Sequence, residues 1–428
     1  MERAALPNDV DPRRTIRELR ELAALTGDAR GAQRVAFTPV WQRARQWLRE
    51  RLAGLPVEVH DDAAGNLWAT LPGGYERAVV LGGHIDSVPN GGWLDGCLGT
   101  LAAVEVLRRL AVAPDGRPPV TVRLVDWADE EGARFGCSLF GSSACAGTLR
   151  PDELRGLVDA QGVSLPDALR AVGLDFDRLH ESRAELSHAA AYLELHIEQG
   201  PVLLDRGLPL GAVLGTCGVE RHGVTFRGEA AHSGSTPMDR RRDAFLPAAR
   251  LAPELHAIAA ASGGGVCTVG SCTTKPGIPT SVVEECRLTL DQRHLDAAAL
   301  ARMLEAATSA AKRFASDARV DVTWEPICRV PPAPFHADLI ELCDAAIRDT
   351  CGRSHRLPSG PLHDATSMAG AGVPTAMLFV QSLRGISHNP AEDTREEHLE
   401  LAVRAFDRLV EKTIEWVARP DHVSDPSL

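Results

Sequence analysis

The sequence lacks a long apolar run, a compact cysteine pattern and an excess of positive charge. No stretch approaches the roughly 20 apolar residues that a membrane-spanning helix needs, and the opening MERAALPNDVDPRRT has no apolar core of the kind found in secretory signals. The 46 Lys and Arg against 58 Asp and Glu give a net charge of −12, which repels a phosphate backbone and an anionic membrane surface. These absences argue against nucleic-acid and membrane partners and favour a cytoplasmic protein.

The ten cysteines are scattered singly along the chain, and none belongs to a Cys-x-x-Cys pair. A chain of 428 residues can bury a large apolar core, so it does not depend on the disulfides that stabilise small secreted domains. We therefore expect reduced, buried thiols in a reducing compartment.

The length predicts one large domain and one smaller one, because a single core stops growing well below 428 residues. Thr38 and Pro39 are typical of a helix start. The apolar runs Ala78–Leu81 and Val120–Val125 indicate buried strands, and the segment Leu98–Leu110 between them has helical spacing. Strand, helix and strand in this order predict an α/β protein with a parallel or mixed sheet, and catalytic groups at the ends of its strands.

The middle of the chain follows a different pattern. Strands and helices are predicted in the order βαββαβ between residues 223 and 324, with the first helix beginning near Asp239 and the third strand at 282–292. This order is typical of a ferredoxin-like domain. We therefore predict that residues 215–330 are inserted into a discontinuous catalytic domain made of residues 1–214 and 331–428.

Polar segments follow the predicted apolar strands, and each carries side chains that bind cations. These segments are His84-Ile85-Asp86, Asp95-Gly96, Asp129-Glu130-Glu131-Gly132, His196-Ile197-Glu198-Gln199-Gly200, and His388 in GISHNPAEDT. Taken singly, each has an ordinary explanation: a core or surface histidine, an aspartate that caps a helix, or a solvated acidic turn. Together they supply two histidines, a potentially bridging aspartate, a terminal glutamate and a spare glutamate, which is the inventory of a two-metal hydrolytic site.

The charges of these side chains suit hydrolysis. Two divalent ions bring a charge of +4, and the carboxylates of Asp95 and Glu131 return −2. The surplus positive charge would lower the pKa of bound water and stabilise a developing oxyanion. Glu130 would then be free to carry a proton from water to the leaving nitrogen, and Asp86 would hold the orientation of His84.

Several segments, in their order along the chain, resemble one family of di-metal amidohydrolases. They are GGHIDSVPNGG, DEEGARFG, HIEQGPVL, GEAAHSGSTPMDRRRDA, SGPLHDATSMA and GISHNPAEDT. The family includes N-carbamoyl-L-amino acid hydrolases, β-ureidopropionases and allantoate amidohydrolases, and shares a superfamily with bacterial glutamate carboxypeptidases and aminoacylases. The resemblance implies an exopeptidase-like catalytic domain with an inserted ferredoxin-like lid or dimerisation domain.

The resemblance also implies which residues act. The implied metal ligands are His84, Asp95 and His196 for one ion, and Asp95, Glu131 and His388 for the other. Glu130 would be the general base, with Asp86 orienting His84. His232, in the insert, would reach the active site of the partner subunit in a homodimer and polarise the scissile carbonyl.

Substrate recognition departs from the family pattern. Arg293 in LDQRH matches the arginine that holds the substrate carboxylate, but Thr280 stands where the family has an asparagine. Val219 replaces a glutamine, and Trp93 replaces a basic residue of the NGG loop. The further candidate substrate contacts are Gln199, Arg221, His222 and His363. These departures concern the choice of substrate rather than the hydrolytic chemistry.

The predicted reaction is metal-dependent cleavage of the carbamoyl C–N bond of an N-carbamoyl-L-amino acid or related ureido acid. The products would be the amine, carbon dioxide and ammonia, and the two ions would be Zn, Mn, Co or Ni. Allantoate or another ureide, an N-acyl amino acid and a dipeptide are alternative substrates. A catalytically silent metal-binding homologue is the alternative outside enzymes, and the spare carboxylate of Glu130 argues against it.

Overall fold

The computed structural model describes residues 9–112 and 117–419. The chain divides into two compact units, Met1–Leu214 with Phe335–Leu428 and Gly215–Pro334. Among the described residues, no helix combines the length and the apolar character needed to span a membrane.

The strands and helices are numbered in chain order. The strands are β1 (Gly27–Asp28), β2 (Gly31–Ala32), β3 (Glu58–Asp61), β4 (Leu67–Leu71), β5 (Tyr75–His84), β6 (Val120–Trp127), β7 (Ala189–Ile197), β8 (Leu210–Thr216), β9 (Gly218–Arg227), β10 (Val266–Lys275), β11 (Glu285–His294), β12 (Asp321–Val330), β13 (Ala333–Pro334), β14 (Arg356–Ser359) and β15 (Thr375–Val380). The helices are α1 (Pro12–Thr26), α2 (Pro39–Leu52), α3 (Cys97–Ala111), α4 (Phe140–Ala146), α5 (Pro151–Leu154), α6 (Leu165–Ala171), α7 (Val202–Asp205), α8 (Phe245–Ala261), α9 (Ala297–Ala318), α10 (Ala337–Cys351), α11 (Asp364–Gly370) and α12 (Glu396–Val417). Three further segments are 3-10 helices: Phe176–Leu186, Met238–Arg240 and Leu383–Gly385.

The large unit is built on a mixed sheet in the order β13-β8-β15-β7-β5-β6-β4-β3, with β14 beside β8. Its central strands β15, β7, β5 and β6 run parallel. Along β5, Val79 and Leu81 lie in one buried cluster with residues of α3 and α12, whereas Val80 lies in a second cluster with residues of α11. Both faces of the sheet are therefore covered by helices, as the continuous apolar runs predicted.

The predicted α/β class is confirmed, and so are the individual elements on which it rests. The predicted strands at 78–81 and 120–125 lie within β5 and β6, and the predicted helix at 98–110 lies within α3. The hydroxyl of Thr38 accepts the N–H of Trp41 and Pro39 opens α2, so this helix begins where the sequence indicates.

The smaller unit contains β9, α8, β10, β11, α9 and β12, which is the predicted βαββαβ order. Its antiparallel sheet has the strand order β10-β11-β9-β12, the ferredoxin-like arrangement. Val224, Phe226, Leu288 and Leu290 form one buried cluster with residues of α8 and α9. One face of this sheet is thus packed against two helices.

Several predicted boundaries in this unit are wrong. The first strand, β9, begins at Gly218 rather than at residue 223, and the last strand, β12, ends at Val330 rather than at residue 324. Helix α8 begins at Phe245 and not near Asp239, because residues 238–240 form a separate 3-10 turn. The carboxylate of Asp243 accepts the N–H of Phe245 at 2.9 Å and so occupies one of the free donors at the helix start. The third strand covers Glu285–His294, three residues later at its start than predicted.

All ten cysteines are free thiols. Cys97, Cys145, Cys217, Cys286 and Cys343 are buried, but Cys272 is exposed and the other four are partly exposed. The expectation that all the thiols are buried is therefore wrong. The expectation that they are reduced agrees with the structure.

Candidate metal centre

The polar segments meet at one edge of the large sheet, where four parallel strands end. His84 is the last residue of β5, His196 lies one residue before the end of β7, and Glu130 follows the end of β6. His388 lies in the loop after β15. Because the carboxyl ends of parallel strands lie on the same side of a sheet, residues that are hundreds of positions apart become neighbours.

The first group contains His84, Asp95 and His196, whose potential ligand atoms lie within 4.8 Å of one another. The Nε2 of His196 is 3.1 Å from Asp95 Oδ1, and that of His84 is 3.8 Å from the same oxygen. All three residues are at most 3% exposed. Such a cluster of buried imidazole and carboxylate groups is typical of a metal site.

The two imidazole rings of the first group are oriented so that each can offer its Nε2 lone pair to a cation. The Nδ1 atoms of His84 and His196 lie 3.2 and 2.9 Å from the backbone carbonyls of Asp86 and Ile197. A carbonyl oxygen can only accept a hydrogen bond, so in the neutral rings each Nδ1 carries the proton. Each Nε2 is then left with a lone pair, and both are buried without a hydrogen-bond partner. Buried polar atoms without partners are costly, and a bound cation would satisfy both.

The second group contains Asp95, Glu131 and His388. The Nε2 of His388 is 3.4 Å from Asp95 Oδ2 and 3.2 Å from Glu131 Oε2. The two oxygens of Asp95 therefore face different groups: Oδ1 faces the buried histidines, and Oδ2 faces His388. A carboxylate in this position can bridge two cations.

Asp95 does not cap the helix that follows it. The residue at the N-cap position of α3 is Gly96, with a φ of 64°, and no side chain accepts a helix N–H there. The alternative explanation of Asp95 as a helix-capping aspartate is therefore wrong. An added Cβ at Gly96 would lie 2.4 Å from the ring of His84, so glycine is required for this close approach.

Asp86 contacts both His84 and the acidic loop that carries Glu130 and Glu131. It lies beyond the end of β5, and its backbone carbonyl, rather than its carboxylate, makes the shorter contact with His84 Nδ1. The carboxylate Oδ1 is 3.6 Å from that nitrogen. Its two oxygens accept the N–H groups of Glu130 at 3.3 Å and Glu131 at 3.2 Å, so Asp86 positions the acidic loop as well.

Glu130 is 8% exposed, and its Oε2 lies 3.7 Å from His84 Nε2. It belongs to neither candidate ligand group among the described residues. Burial, together with the nearby carboxylates of Asp364, Glu131 and Asp86, raises the pKa of Glu130 well above its usual range. A carboxylate that is buried, close to the ligands and outside their groups is placed to exchange a proton with a water between them.

The sequence did not single out Glu194, which forms a third buried group with His196 and His363. The ring of His363 lies 4.4 Å from that of His196, and burial lowers the pKa of His363 well below its usual value, an effect to which His196 adds. Glu194 Oε2 accepts the hydroxyl of Tyr192 at 2.8 Å. A charged residue within the apolar strand YLELHI, two positions before His196 on the same face, is a signal that could have revealed it.

Gln199 is in direct contact with one of the candidate metal ligands. Its side-chain amide donates to Asp95 Oδ2 at 2.9 Å and to the hydroxyl of Ser387 at 3.1 Å. Trp93, in contrast, packs against the core of the large unit, with the guanidinium of Arg20 5.9 Å from its ring. The replacement of a basic residue at position 93 is therefore accommodated by packing.

The smaller unit carries the remaining predicted residues. His232 is exposed, and its Nδ1 accepts the N–H groups of Gly234 and Ser235, both at 3.2 Å, so the ring proton of the neutral imidazole is on Nε2. Thr280 is next to it, because its carbonyl accepts the N–H of Ser233 at 3.0 Å.

The two predicted arginines of this unit, Arg221 and Arg293, lie on the neighbouring strands β9 and β11. Asp291 accepts from Arg221 at 2.7 Å and from Arg293 at 2.9 Å. Two guanidinium groups thus share one carboxylate, which leaves a net positive charge. Val219 is paired directly with Arg293 across the sheet. His222 is buried and bonded to Glu220 at 3.0 Å, which favours a packing role for it.

The chain belongs to peptidase family M20/M25/M40, whose family model matches residues 80–412. The resemblance inferred from the sequence motifs is confirmed, and with it the assignment of the chain as an enzyme of the amidohydrolase type.

Named relatives cover most of the chain. The N-carbamoyl-L-amino acid amidohydrolase of Geobacillus stearothermophilus is 36% identical over 380 residues, which are 86% of this chain and 90% of that protein. The allantoate amidohydrolase of Escherichia coli (strain K12) is 35% identical over 385 residues, or 88% and 92%. A crystal structure of a hydantoinase/carbamoylase family amidase from Burkholderia multivorans has a TM-score of 0.85 at 30% identity, covering 95% of this chain and 99% of that one.

Proposed function

We propose that the protein hydrolyses the carbamoyl C–N bond of an N-carbamoyl-L-amino acid or a related ureido acid at a centre of two divalent metal ions. The observation that carries the two-metal proposal is the orientation of Asp95, whose oxygens face two separate ligand groups. The names of the relatives and the charge around Arg293 support the choice of substrate.

The residues fit two cations. His84, Asp95 and His196 would hold one, and Asp95, Glu131 and His388 the other. Imidazole and carboxylate ligands suit Zn, Mn, Co or Ni. When bound, the ions would polarise the substrate carbonyl and make water more acidic.

Glu130 would take a proton from the attacking water and deliver it to the leaving nitrogen. The overall reaction consumes one water and the ureido acid, and releases the amine, carbon dioxide and ammonia. Burial raises the pKa of Glu130 above its usual range, which favours its taking a proton from water.

His232 would polarise the substrate carbonyl in the partner subunit of a homodimer in the cytoplasm. Its exposed ring offers an Nε2–H donor, because Nδ1 is occupied by the two backbone N–H groups. A neutral imidazole donor is suited to stabilise developing negative charge on oxygen. Gln199, Arg221, Thr280 and His363 would complete the substrate site.

Replacing Arg293 by alanine is expected to raise KM about 10- to 100-fold with little change in kcat, because the substrate carboxylate loses a charge-assisted contact. Initial rates against an N-carbamoyl amino acid measure both constants. The matched control is Arg287→Ala, on the same strand and face, where the guanidinium pairs with Glu325 at 2.8 Å. An unchanged KM in the Arg293 variant would argue for a substrate without a carboxylate at this position.

The alternatives are distinguished by which substrate is hydrolysed and by the products that are released. Allantoate and other ureides release ammonia, an N-acyl amino acid releases a carboxylic acid, and a dipeptide releases two amino acids. A panel of all four substrates with the metal-loaded protein, with and without chelator, tests each. A chain that hydrolyses none of them would be a silent homologue, which the position of Glu130 beside the ligands argues against.

Metal affinity is expected to rise with pH. In the absence of metal, the contact with Asp95 raises the pKa of His388 to about 9, and burial raises that of Glu131 to about 7. Both must be deprotonated to bind a cation, so binding releases protons. Between pH 7 and 8.5 one proton leaves, so affinity at the second group should rise about tenfold per pH unit. Calorimetry in two buffers of different ionisation enthalpy measures the released proton; a pH-independent affinity would contradict this assignment.

A further inference from the structure

Glu392, which the sequence motifs did not single out, lies directly behind Asp95. It is only 2% exposed. Its Oε1 accepts two backbone N–H groups, those of Leu94 and Asp95, each at 3.0 Å. These bonds join the loop that follows β15 to the loop that carries the bridging aspartate, so one buried carboxylate fixes the backbone at Asp95.

The other oxygen of Glu392 is linked to the carboxylate of Asp95 through Ser387. The hydroxyl of Ser387 lies 2.9 Å from Glu392 Oε2 and 2.8 Å from Asp95 Oδ2. Since a hydroxyl has one proton, these two oxygens compete for it, and the amide of Gln199 supplies Asp95 Oδ2 with a further donor. The two hydrogen bonds that Asp95 accepts from Gln199 and Ser387 are both made to Oδ2, the oxygen that faces His388.

The residue that faces Glu392 is Gly92, which has no side chain. A Cβ added to Gly92 would be 2.1 Å from Glu392 Oε1 and 2.6 Å from its Cβ. No φ in the left-handed region is recorded for Gly92, so the backbone does not demand glycine there. The space beside Gly92 is therefore filled by the Glu392 carboxylate.

We propose that Glu392, acting through Ser387, is a positioning residue that sets the direction of Asp95 Oδ2 and thereby the cation affinity of the Asp95–Glu131–His388 group. This inference rests on the two-metal centre of the proposed function.

The effect should be selective for this group. His84 and His196 are buried at the ends of strands, where the sheet holds them. His388 is half exposed and shares its loop with Ser387 and Glu392. Hydrogen bonds to a ligating carboxylate typically change metal affinity 10- to 100-fold when they are lost, and here they support one group and not the other.

Three substitutions separate charge from geometry. Glu392→Gln keeps an oxygen for the two N–H groups, but replaces the acceptor beside Ser387 by a donor and removes the charge. Gly92→Ala keeps the charge and displaces the carboxylate, because the new methyl group would overlap it. Ser387→Ala removes the bridging hydroxyl and keeps both carboxylates.

The test is a titration of Mn²⁺ into the full-length, chelator-stripped protein, with free Mn²⁺ followed by EPR. His388→Ala identifies the binding step that belongs to the second group. Glu392→Gln and Ser387→Ala should weaken that step about 10- to 100-fold, and the other step less than threefold. Gly92→Ala, which also displaces the carboxylate from the N–H groups of Leu94 and Asp95, should weaken that step at least as much. The Ser387→Ala/Glu392→Gln double variant should lose less than the product of the single losses, because both act on the same oxygen.

The matched control is Glu105→Gln. Glu105 is 1% exposed and also accepts a backbone N–H, that of Asp11 at 2.7 Å, without any bond to the metal ligands. It should leave both steps unchanged. Circular dichroism checks folding, and if Glu392→Gln does not fold, Ser387→Ala decides.

Wild-type affinity in both steps of the Glu392, Gly92 or Ser387 variants would overturn this inference and leave the proposed function standing. Equal weakening of the two steps by Glu392→Gln or by Ser387→Ala would also overturn it. If the wild-type protein itself takes up fewer than two Mn²⁺ ions, the two-metal centre is wrong, and the inference fails with it.

Discussion

Glu130→Gln is expected to lower kcat about 10²- to 10⁴-fold, the range that a positioned general acid–base contributes, while the protein still binds both metal ions. Glutamine has the same shape as glutamate but cannot accept and return a proton at neutral pH. Since Glu130 is in neither ligand group, its substitution removes the proton carrier and leaves the ligands unchanged.

Two measurements are needed on the same sample of this variant: ammonia release from an N-carbamoyl amino acid and metal content by mass spectrometry. Glu105→Gln, which removes a charge from another buried glutamate, controls for the loss of a buried carboxylate. Near-normal turnover by Glu130→Gln would remove this residue from the mechanism. Loss of metal together with turnover would assign Glu130 to the ligands.

Asp95→Ala is expected to abolish activity together with both binding steps, because Asp95 is common to the two groups. His388→Ala should lose one step and retain the other. Treatment of the wild-type protein with a chelator should have the same effect as Asp95→Ala, and activity should return when a divalent ion is restored.

Two results from these samples would contradict the predictions. Substrate hydrolysis by the stripped wild-type protein at its original rate, with no metal detected, would refute metal-dependent catalysis. Two tightly bound ions in Asp95→Ala would refute the bridging position of Asp95.

The sequence predicted the fold and the candidate ligands because both depend on strong local patterns. Apolar runs such as Val120–Val125 can only be strands or buried helices, and the polar residues directly after them must lie where the strands end. Five residues suited to bind cations occur at these ends, and the structure brings all of them together.

The supporting contacts could not be predicted in the same way. Glu392 and Ser387 act through backbone N–H groups and one hydroxyl, and such contacts depend on how two distant loops meet. The same holds for Asp86, whose carbonyl and carboxylate serve different partners. The start of α8 was missed because a short 3-10 turn has nearly the same polar composition as the first turn of a helix.

Three residues in the loops around the candidate metal site have a backbone conformation that is unusual for their type. Asp129, Gln199 and His388 have φ angles of 55°, 57° and 53°, in the left-handed region that side chains with a Cβ disfavour. Each such residue costs on the order of 1–3 kcal/mol, so the rest of the fold must hold these loops against their own preference. At His388 the two demands oppose each other, because the backbone conformation favours glycine or asparagine, whereas the proposed binding of a cation requires an imidazole.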